Sequence, residues 1–254
     1  MAEAEIKKPA SPESVLPYDS PERKSLQALR MFNDIAGTYD RLNHVLSFGF
    51  DKGWRRKAVE AIDNSPALIL DLAAGTGDLA LLMARRLQPC QIVAGDISEK
   101  MMEIGKMKAE RAGLSNLISF EYQDCLCLSF ENDTFEAVAI AFGLRNLEDI
   151  RKGVAEMHRV LKPGGRLLVL ELSSPQSFPM KQLYYVYSRT IIPLAGLLLS
   201  GRRRAYSYLP ASIRAVPQGR EMQQLLADAG FDKVSSQTFT GGICSLYTGT
   251  KTNS

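Results

Sequence analysis

The sequence predicts an α/β protein: a mostly parallel β-sheet with helices on both faces and a C-terminal antiparallel hairpin. Three observations carry this. Short apolar runs alternate with segments of helical period. The first run, Leu68–Leu72, leads at once into Gly75-x-Gly77 and an amphipathic segment. Two strand-like runs near the C-terminus flank Gly241-Gly242, the pattern of a hairpin.

Leu68–Leu72 is the first strand. Asp78–Leu87 is a helix, with Leu79, Leu82, Met83 and Leu87 at helical spacing. Ile92–Ala94 is a second strand running to Asp96, and Ser98 is the N-cap of a helix to about Arg111, stopped by Gly113. Leu117–Tyr122 and Phe135–Phe142 are the third and fourth strands. A helix over Leu147–Leu161 ends at the turn Lys162-Pro-Gly-Gly165, and Arg166–Leu172 is the fifth strand. A helix over Gly219–Ala229 precedes the hairpin strands Lys233–Phe239 and Ile243–Thr248.

With 254 residues the chain is long enough for one large domain and too short for two with a linker. Apolar residues are 45% and charged residues 23%, which excludes a disordered protein. Residues 1–21, rich in proline and acids, read as a disordered tail, neither a secretory signal nor a transit peptide. His44 and His158 are the only histidines, too few for a histidine-rich metal site, and both read as structural or surface residues. Cys90, Cys125, Cys127 and Cys244 form no C-x-x-C pair and read as buried, reduced thiols.

Charge is unevenly spread. The net charge is +3, yet Leu172–Arg220 holds no acid and seven basic residues, so the remainder is net negative. That segment contains the apolar run Ile191–Leu199, with Pro193 inside it and too short to span a bilayer. Around the run lie tyrosines 184, 185, 187, 206 and 208 and the triplet Arg202-Arg203-Arg204. Such a mixture suits the headgroup boundary of an anionic membrane. A nucleic-acid groove needs charge along its length, which the apolar run denies.

Gly75 and Gly77 allow the backbone to approach a ligand closely, which alone also fits a relaxed dinucleotide fingerprint. Asp71, before the loop, and Asp96, ending the second strand, sharpen the reading. Asp96 is placed to accept both ribose hydroxyls of a nucleoside. A pyrophosphate disfavours a carboxylate at Asp71, whereas the sulfonium and ammonium of S-adenosylmethionine favour one. Asp124-Cys125 follows the third strand beside the expected adenine, and Ala141-Phe142 ends the fourth at the sheet's switch point. Just beyond lie Arg145 and Asn146, which with Tyr39 are the candidates for the chemical step. Arg145 suits stabilisation of a phenolate; its alternative is a loop pairing with Glu148 or Asp149.

Several motifs are more particular: Met31-Phe-Asn-Asp-Ile-Ala-Gly-Thr-Tyr-Asp40 with Leu42-Asn43, Leu46-Ser-Phe-Gly49, Trp54-Arg55-Arg56, Leu70–Asp78, Phe142-Gly-Leu-Arg-Asn146 and Arg159–Glu171. From about Met31 onward the chain resembles the UbiE/MenG-type C-methyltransferases of ubiquinone and menaquinone biosynthesis. The resemblance implies a Rossmann-like class I methyltransferase with a seven-stranded sheet. It would form one domain over 22–254, with an N-terminal helical cover at 22–64 and a substrate or membrane insertion at 172–220. It implies methyl transfer from S-adenosylmethionine to a ring carbon of a prenylated quinol, demethylmenaquinol first and a ubiquinone-precursor benzoquinol as alternative. An RNA-binding protein or RNA methyltransferase on the same fold is the alternative of another class. The implied cofactor contacts are Thr76, Asp96, Asp124, Cys125 and Ala141, joining Asp71, Gly75 and Gly77. No metal and no nucleic-acid partner are expected, and a homodimer stays open. The expected location is cytoplasmic, at the inner face of the membrane.

Overall fold

A computed structural model describes residues 11–87, 91–200 and 203–252. Its centre is a seven-stranded sheet of order β3-β2-β1-β4-β5-β7-β6. The strands are β1 (Leu68–Leu72), β2 (Gln91–Asp96), β3 (Ile118–Tyr122), β4 (Phe135–Ala141), β5 (Leu161–Leu172), β6 (Phe231–Phe239) and β7 (Cys244–Lys251). The first five are parallel to one another, and β7 runs antiparallel to both β5 and β6. The helices are α1 (Lys24–Ile35), α2 (Tyr39–Leu46), α3 (Phe50–Glu60), α4 (Asp78–Arg86), α5 (Glu99–Arg111), α6 (Ile150–Val160), α7 (Met180–Ser200), α8 (Arg203–Ala215) and α9 (Arg220–Asp228).

The two-residue period of the strands splits the core into two layers. Ile69, Ala137, Ala139, Leu168, Leu170 and Leu246 face α3 and α4. Their neighbours Leu70, Val138, Ile140, Leu167, Val169 and Tyr247 face α6 and α9. Because both faces are covered, the central strands read as continuous apolar runs. Asp71 stands on the layer of Ile69 at 1% exposure, a polar group among buried hydrocarbons.

Three boundaries differ from expectation. The helix expected from Leu147 begins at Ile150, because Asp149 accepts from Lys152 N at 2.9 Å and caps it; Leu144–Asn146 forms a separate 3-10 turn. Lys162–Gly165 lies within β5: Leu161 already pairs with Phe135, and the glycines loop out before Arg166 pairs with Ala137. Residues 11–21, expected in the disordered tail, are tied to α1. Gln27 accepts from Tyr18 N and donates to Ser20 O and Glu22 O, and Lys24 Nζ donates to Pro12 O at 2.8 Å. Ser98 caps α5 as expected.

The glycine loop rests on Phe120 of β3. A side chain at Gly77 would put its Cβ 2.9 Å from that ring, and one at Gly105 of α5 would meet it more closely still. Replacing Gly105 by alanine should therefore cost about 1–3 kcal/mol through overpacking, outweighing the gain in helix propensity. Urea unfolding should show a lower midpoint for G105A and partial recovery in G105A/F120L. A higher midpoint for G105A would reject the packing argument.

Candidate active site

The chain passes β1, β2 and β3 outward on one side and returns to place β4 on the other, so the connections leaving β1 and β4 part and open a crevice. Both strands end in a non-glycine residue with left-handed backbone: Ala73 (φ 49°) after β1 and Phe142 (φ 59°) after β4. Such strain persists only where the surroundings impose it. Between them only glycine fits at 143, since a Cβ there would lie 2.5 Å from Ala73 Cβ.

Two cavities open from this crevice. The first encloses about 730 Å³ including its mouth, between the sheet ends and α1. Gly75, Asp96, Asp124, Cys125, Ala141 and Asn146 line it, under a roof of Ser25, Ala28 and Phe32. Asp96 Oδ2 accepts from Gly75 N at 2.7 Å and its Oδ1 from Ser98 N at 2.8 Å, which fixes the loop against the end of β2. Burial raises the Asp96 pKa despite those donors. Asp124 Oδ1 accepts from Leu126 N, closing a tight turn. Burial pushes the Cys125 thiol up to about 12, so its side chain is an inert wall.

The second is a cleft of about 1180 Å³ including its mouth, walled by Leu46, Phe48, Phe50, Trp54, Phe142, Leu172, Leu183, Tyr184 and Tyr187, with Arg145 on its inner side. Tyr39 and Phe142 line both cavities. Arg145 and Asn146, adjacent in sequence, thus face different chambers on either side of one shared wall.

Arg145 is 7% exposed. Its Nη1 donates to Glu171 Oε1 at 2.6 Å and to Phe142 O, and its Nε has no partner among the described residues. Burial would lower the guanidinium pKa, but Glu171 and two nearby phenols outweigh it and the net shift is upward. Arg145 is therefore a permanent cation. Burial raises the Tyr39 phenol, so that it too keeps its proton. Asn146 donates to Phe142 O and its Oδ1 accepts from Tyr208 of α8 at 3.1 Å. The alternative pairing of Arg145 with Glu148 or Asp149 does not form: Glu148 accepts from Ser25, and Asp149 caps α6.

An ion network fastens the cover to the loop. Thr76 Oγ1 donates to Asp40 of α2, and Lys108 of α5 bridges Asp40 at 2.7 Å and Asp78 at 2.5 Å. Arg55 of α3 pairs with Asp51 and lies 3.6 Å from Asp78. His44 Nδ1 meets Asp51 at 2.8 Å. His44, Asp51 and Asp78 bring their ligand atoms within 4.8 Å of one another, but the cation among them is the Arg55 guanidinium.

Of the residues singled out in sequence, Tyr39, Gly75, Asp96, Asp124, Cys125, Ala141 and Asn146 meet in the first cavity, and Arg145 lies in the second. Asp71 and Thr76 line a smaller recess beside it, sharing Tyr39, Gly75 and Ala141 with it. Gly77 lines none of these; its role is to clear Phe120. His158 is half-buried against Phe231 rather than a free surface residue. Cys125 and Cys244 are buried, but Cys127 is exposed, and Cys90 lies outside the described residues. The tyrosines expected at headgroups turn inward in part: Tyr184 and Tyr187 line the cleft, and Tyr208 is 4% exposed. Arg202 and the side chains of Arg203 and Arg204 lie outside the described residues. Sequence reasoning missed Glu171, whose signal was an acid in the apolar strand Leu167–Leu172, and Lys24, which had no local signal.

Fold and crevice together are those of the Rossmann-like, S-adenosylmethionine-dependent methyltransferases. The SpnF [4+2]-cyclase superposes with TM-score 0.67 at 18% identity, over 91% of this chain and 98% of that one. A SAM-dependent methyltransferase from Thermotoga maritima does so with TM-score 0.62 at 16% identity, over 88% and 99%. Both likenesses are of fold. The chain belongs to the ubiE/COQ5 methyltransferase family, whose model matches residues 21–251. It is 49% identical over 240 residues to the demethylmenaquinone methyltransferase of Bacteroides fragilis, covering 94% of this chain and 98% of that protein. It is 44% identical to the ubiquinone/menaquinone biosynthesis C-methyltransferase UbiE of Geobacter sulfurreducens, covering 87% of each.

The recess beside Thr76 fits the family's cosubstrate in charge. Asp71 Oδ2 is buried without a partner among the described residues. Burial moves its carboxyl from 3.8 to about 8, against the pull of Ala80 N–H and Arg55. A cationic ligand group at the recess would favour release of the Asp71 proton and pair with the carboxylate so formed. In the free protein Asp71 keeps a proton that the unfolded chain has released, so folding takes up a proton between these two values. Stability should then fall as pH rises from about 4 to about 8. Denaturation of ligand-free protein at pH 5 and pH 8 should show this decline, flattened in Asp71→Asn. Equal slopes for both proteins would mean that Asp71 is ionised in the fold.

Proposed function

We propose that residues 22–254 act as one domain that methylates a ring carbon of a prenylated naphthoquinol, converting demethylmenaquinol to menaquinol without a metal. The observation that carries this is the shared wall: Tyr39 and Phe142 separate a nucleoside-sized cavity from an aromatic cleft, and a buried cation faces the cleft. The names of the relatives at 49% and 45% identity, in Bacteroides fragilis and Porphyromonas gingivalis, support the naphthoquinol. The Geobacter relative's name covers ubiquinone as well, which keeps a benzoquinol as the second reading.

S-adenosylmethionine supplies a methyl group on a sulfonium, to be taken up in line by the attacking carbon. Asp96 receives the ribose hydroxyls, Gly75, Asp124, Cys125 and Ala141 shape the nucleoside wall, and Asp71 and Thr76 face the charged end. The quinol ring lies in the aromatic cleft. One hydroxyl loses its proton to water, and Arg145, a permanent cation, holds the phenolate beside the ring carbon. Tyr39 donates from the shared wall, and Asn146 keeps the turn in place. The carbon–methyl bond would form as the sulfur–methyl bond breaks with its electrons going to sulfur, and the ring proton would pass to water, restoring aromaticity. Within the cover Arg55 faces Asp51 and Asp78, and Lys108 faces Asp40 and Asp78.

Arg145→Ala should slow single-turnover methylation of demethylmenaquinol by about 10²-fold or more, the loss expected for a contact made in the transition state, with cofactor binding preserved. The wild-type rate in that variant at saturating quinol would remove the catalytic role.

A membrane carries such a substrate, and the protein is assigned to the cytoplasmic face of an anionic bilayer. No helix among the described residues is long and apolar enough to cross one. The cleft mouth is apolar: Phe48 is 72%, Phe50 53% and Leu183 60% exposed, and Phe178 nearby in sequence is 81% exposed. Lys181 and Arg189 lie on the helix that carries Leu183. With Arg202, Arg203 and Arg204 replaced by glutamine, association with anionic liposomes should weaken roughly tenfold or more, at about 1 kcal/mol per arginine, while cofactor affinity holds. Equal sedimentation of both proteins would make the segment packing rather than anchor.

A further inference from the structure

We propose that Glu171 is a positioning residue for methyl transfer, acting on the substrate only through Arg145. It stands in β5 at 2% exposure, where a lone carboxylate would be costly. Its two oxygens grip a single residue at both ends. Oε1 accepts from Arg145 Nη1 at 2.6 Å, and Oε2 accepts from the Arg145 main-chain N at 3.1 Å. Oε1 also accepts from Leu172 N at 2.8 Å, which anchors the carboxylate to its own strand. The 3-10 turn is thus bolted to the central sheet, and the guanidinium is clamped along its Nη1 edge.

This clamp fixes how the guanidinium lies. Nη1 is taken by Glu171 and by the carbonyl of the left-handed Phe142, whereas Nε is buried and without a partner among the described residues. Held by Glu171, the guanidinium lines the cleft in one fixed orientation, so its charge is in place for a developing oxyanion before substrate arrives. The carboxylate also neutralises the buried cation before substrate arrives, which a phenolate alone could not do in the empty site. The inference rests on the reading of Arg145 as the phenolate's partner.

The test is a double-mutant cycle over Glu171→Gln, Arg145→Met and the double variant. Single-turnover transfer of labelled methyl from S-adenosylmethionine to a short-chain demethylmenaquinol in detergent micelles is the readout. Glu171→Gln should slow transfer about 10- to 100-fold with cofactor affinity changed less than about threefold, and Glu171→Asp, which keeps the charge, should recover part of the rate. The double variant should be no slower than Arg145→Met alone, because Glu171 has then nothing left to position. This comparison pairs two neutral side chains, so it holds even where Glu171→Gln alone does not fold. Multiplied losses in the double variant, or a wild-type rate in Glu171→Gln while Arg145→Met is slow, would overturn the proposal and leave the role of Arg145 standing. A wild-type rate in Arg145→Met would overturn both.

Discussion

β1 and β4 run side by side, yet the chain departs from them toward opposite edges of the sheet. Both cavities sit in the gap this forces. The loops after the two strands must separate, so neither can satisfy the other's backbone, and both begin with a left-handed residue. The gap is wide enough for a nucleoside on one side and an aromatic ring on the other. Gly143 sets how closely the two loops approach, and Tyr39, carried in from the cover, supplies the wall between the chambers.

Charge is handled differently on the two sides of that wall. Around the glycine loop, Asp40 and Asp78 meet Lys108 as partly exposed ions that fasten α2 to α4 and α5, and beside them Asp51 and Arg55 of α3 form a buried pair. At the 3-10 turn, Arg145 and Glu171 are an enclosed pair. There the geometry of each hydrogen bond matters more than net stability, since breaking one partner leaves a charge stranded in hydrocarbon. Asp71 takes a third course and holds a proton, as an acid with no counter-ion in contact does.

The sheet was legible because β1, β4 and β5 are buried on both faces and their apolar runs are bounded by glycine or acid. Ser98 was legible because a cap is a local device. The first cavity was readable for the same reason: Gly75, Asp96, Asp124 and Ala141 each sit at a strand end, where topology alone brings them together. The cover was readable only through resemblance, since nothing in Lys24–Glu60 announces what it covers. The start of α6 was missed although Asp149 stood in the capping position, because the apolar period runs on through Leu147. Contacts such as Tyr208 to Asn146 and Lys24 to Arg145 join residues far apart in sequence, and no local pattern encodes them.

Lys24 carries a consequence for how the chain is handled. Its buried ammonium donates to Arg145 O at 2.9 Å and to Pro12 O at 2.8 Å, so one amine spans the leading segment and the 3-10 turn that carries Arg145. A protein shortened to begin at residue 15 would keep its whole sheet and both chambers. It would nevertheless leave that amine with one acceptor fewer, one residue away from Ser25, which ties α1 to Glu148. In this molecule the leading segment is a strut of the 3-10 turn. Trimmed or tagged forms compared for turnover should be matched at Pro12 before any difference is credited to the core.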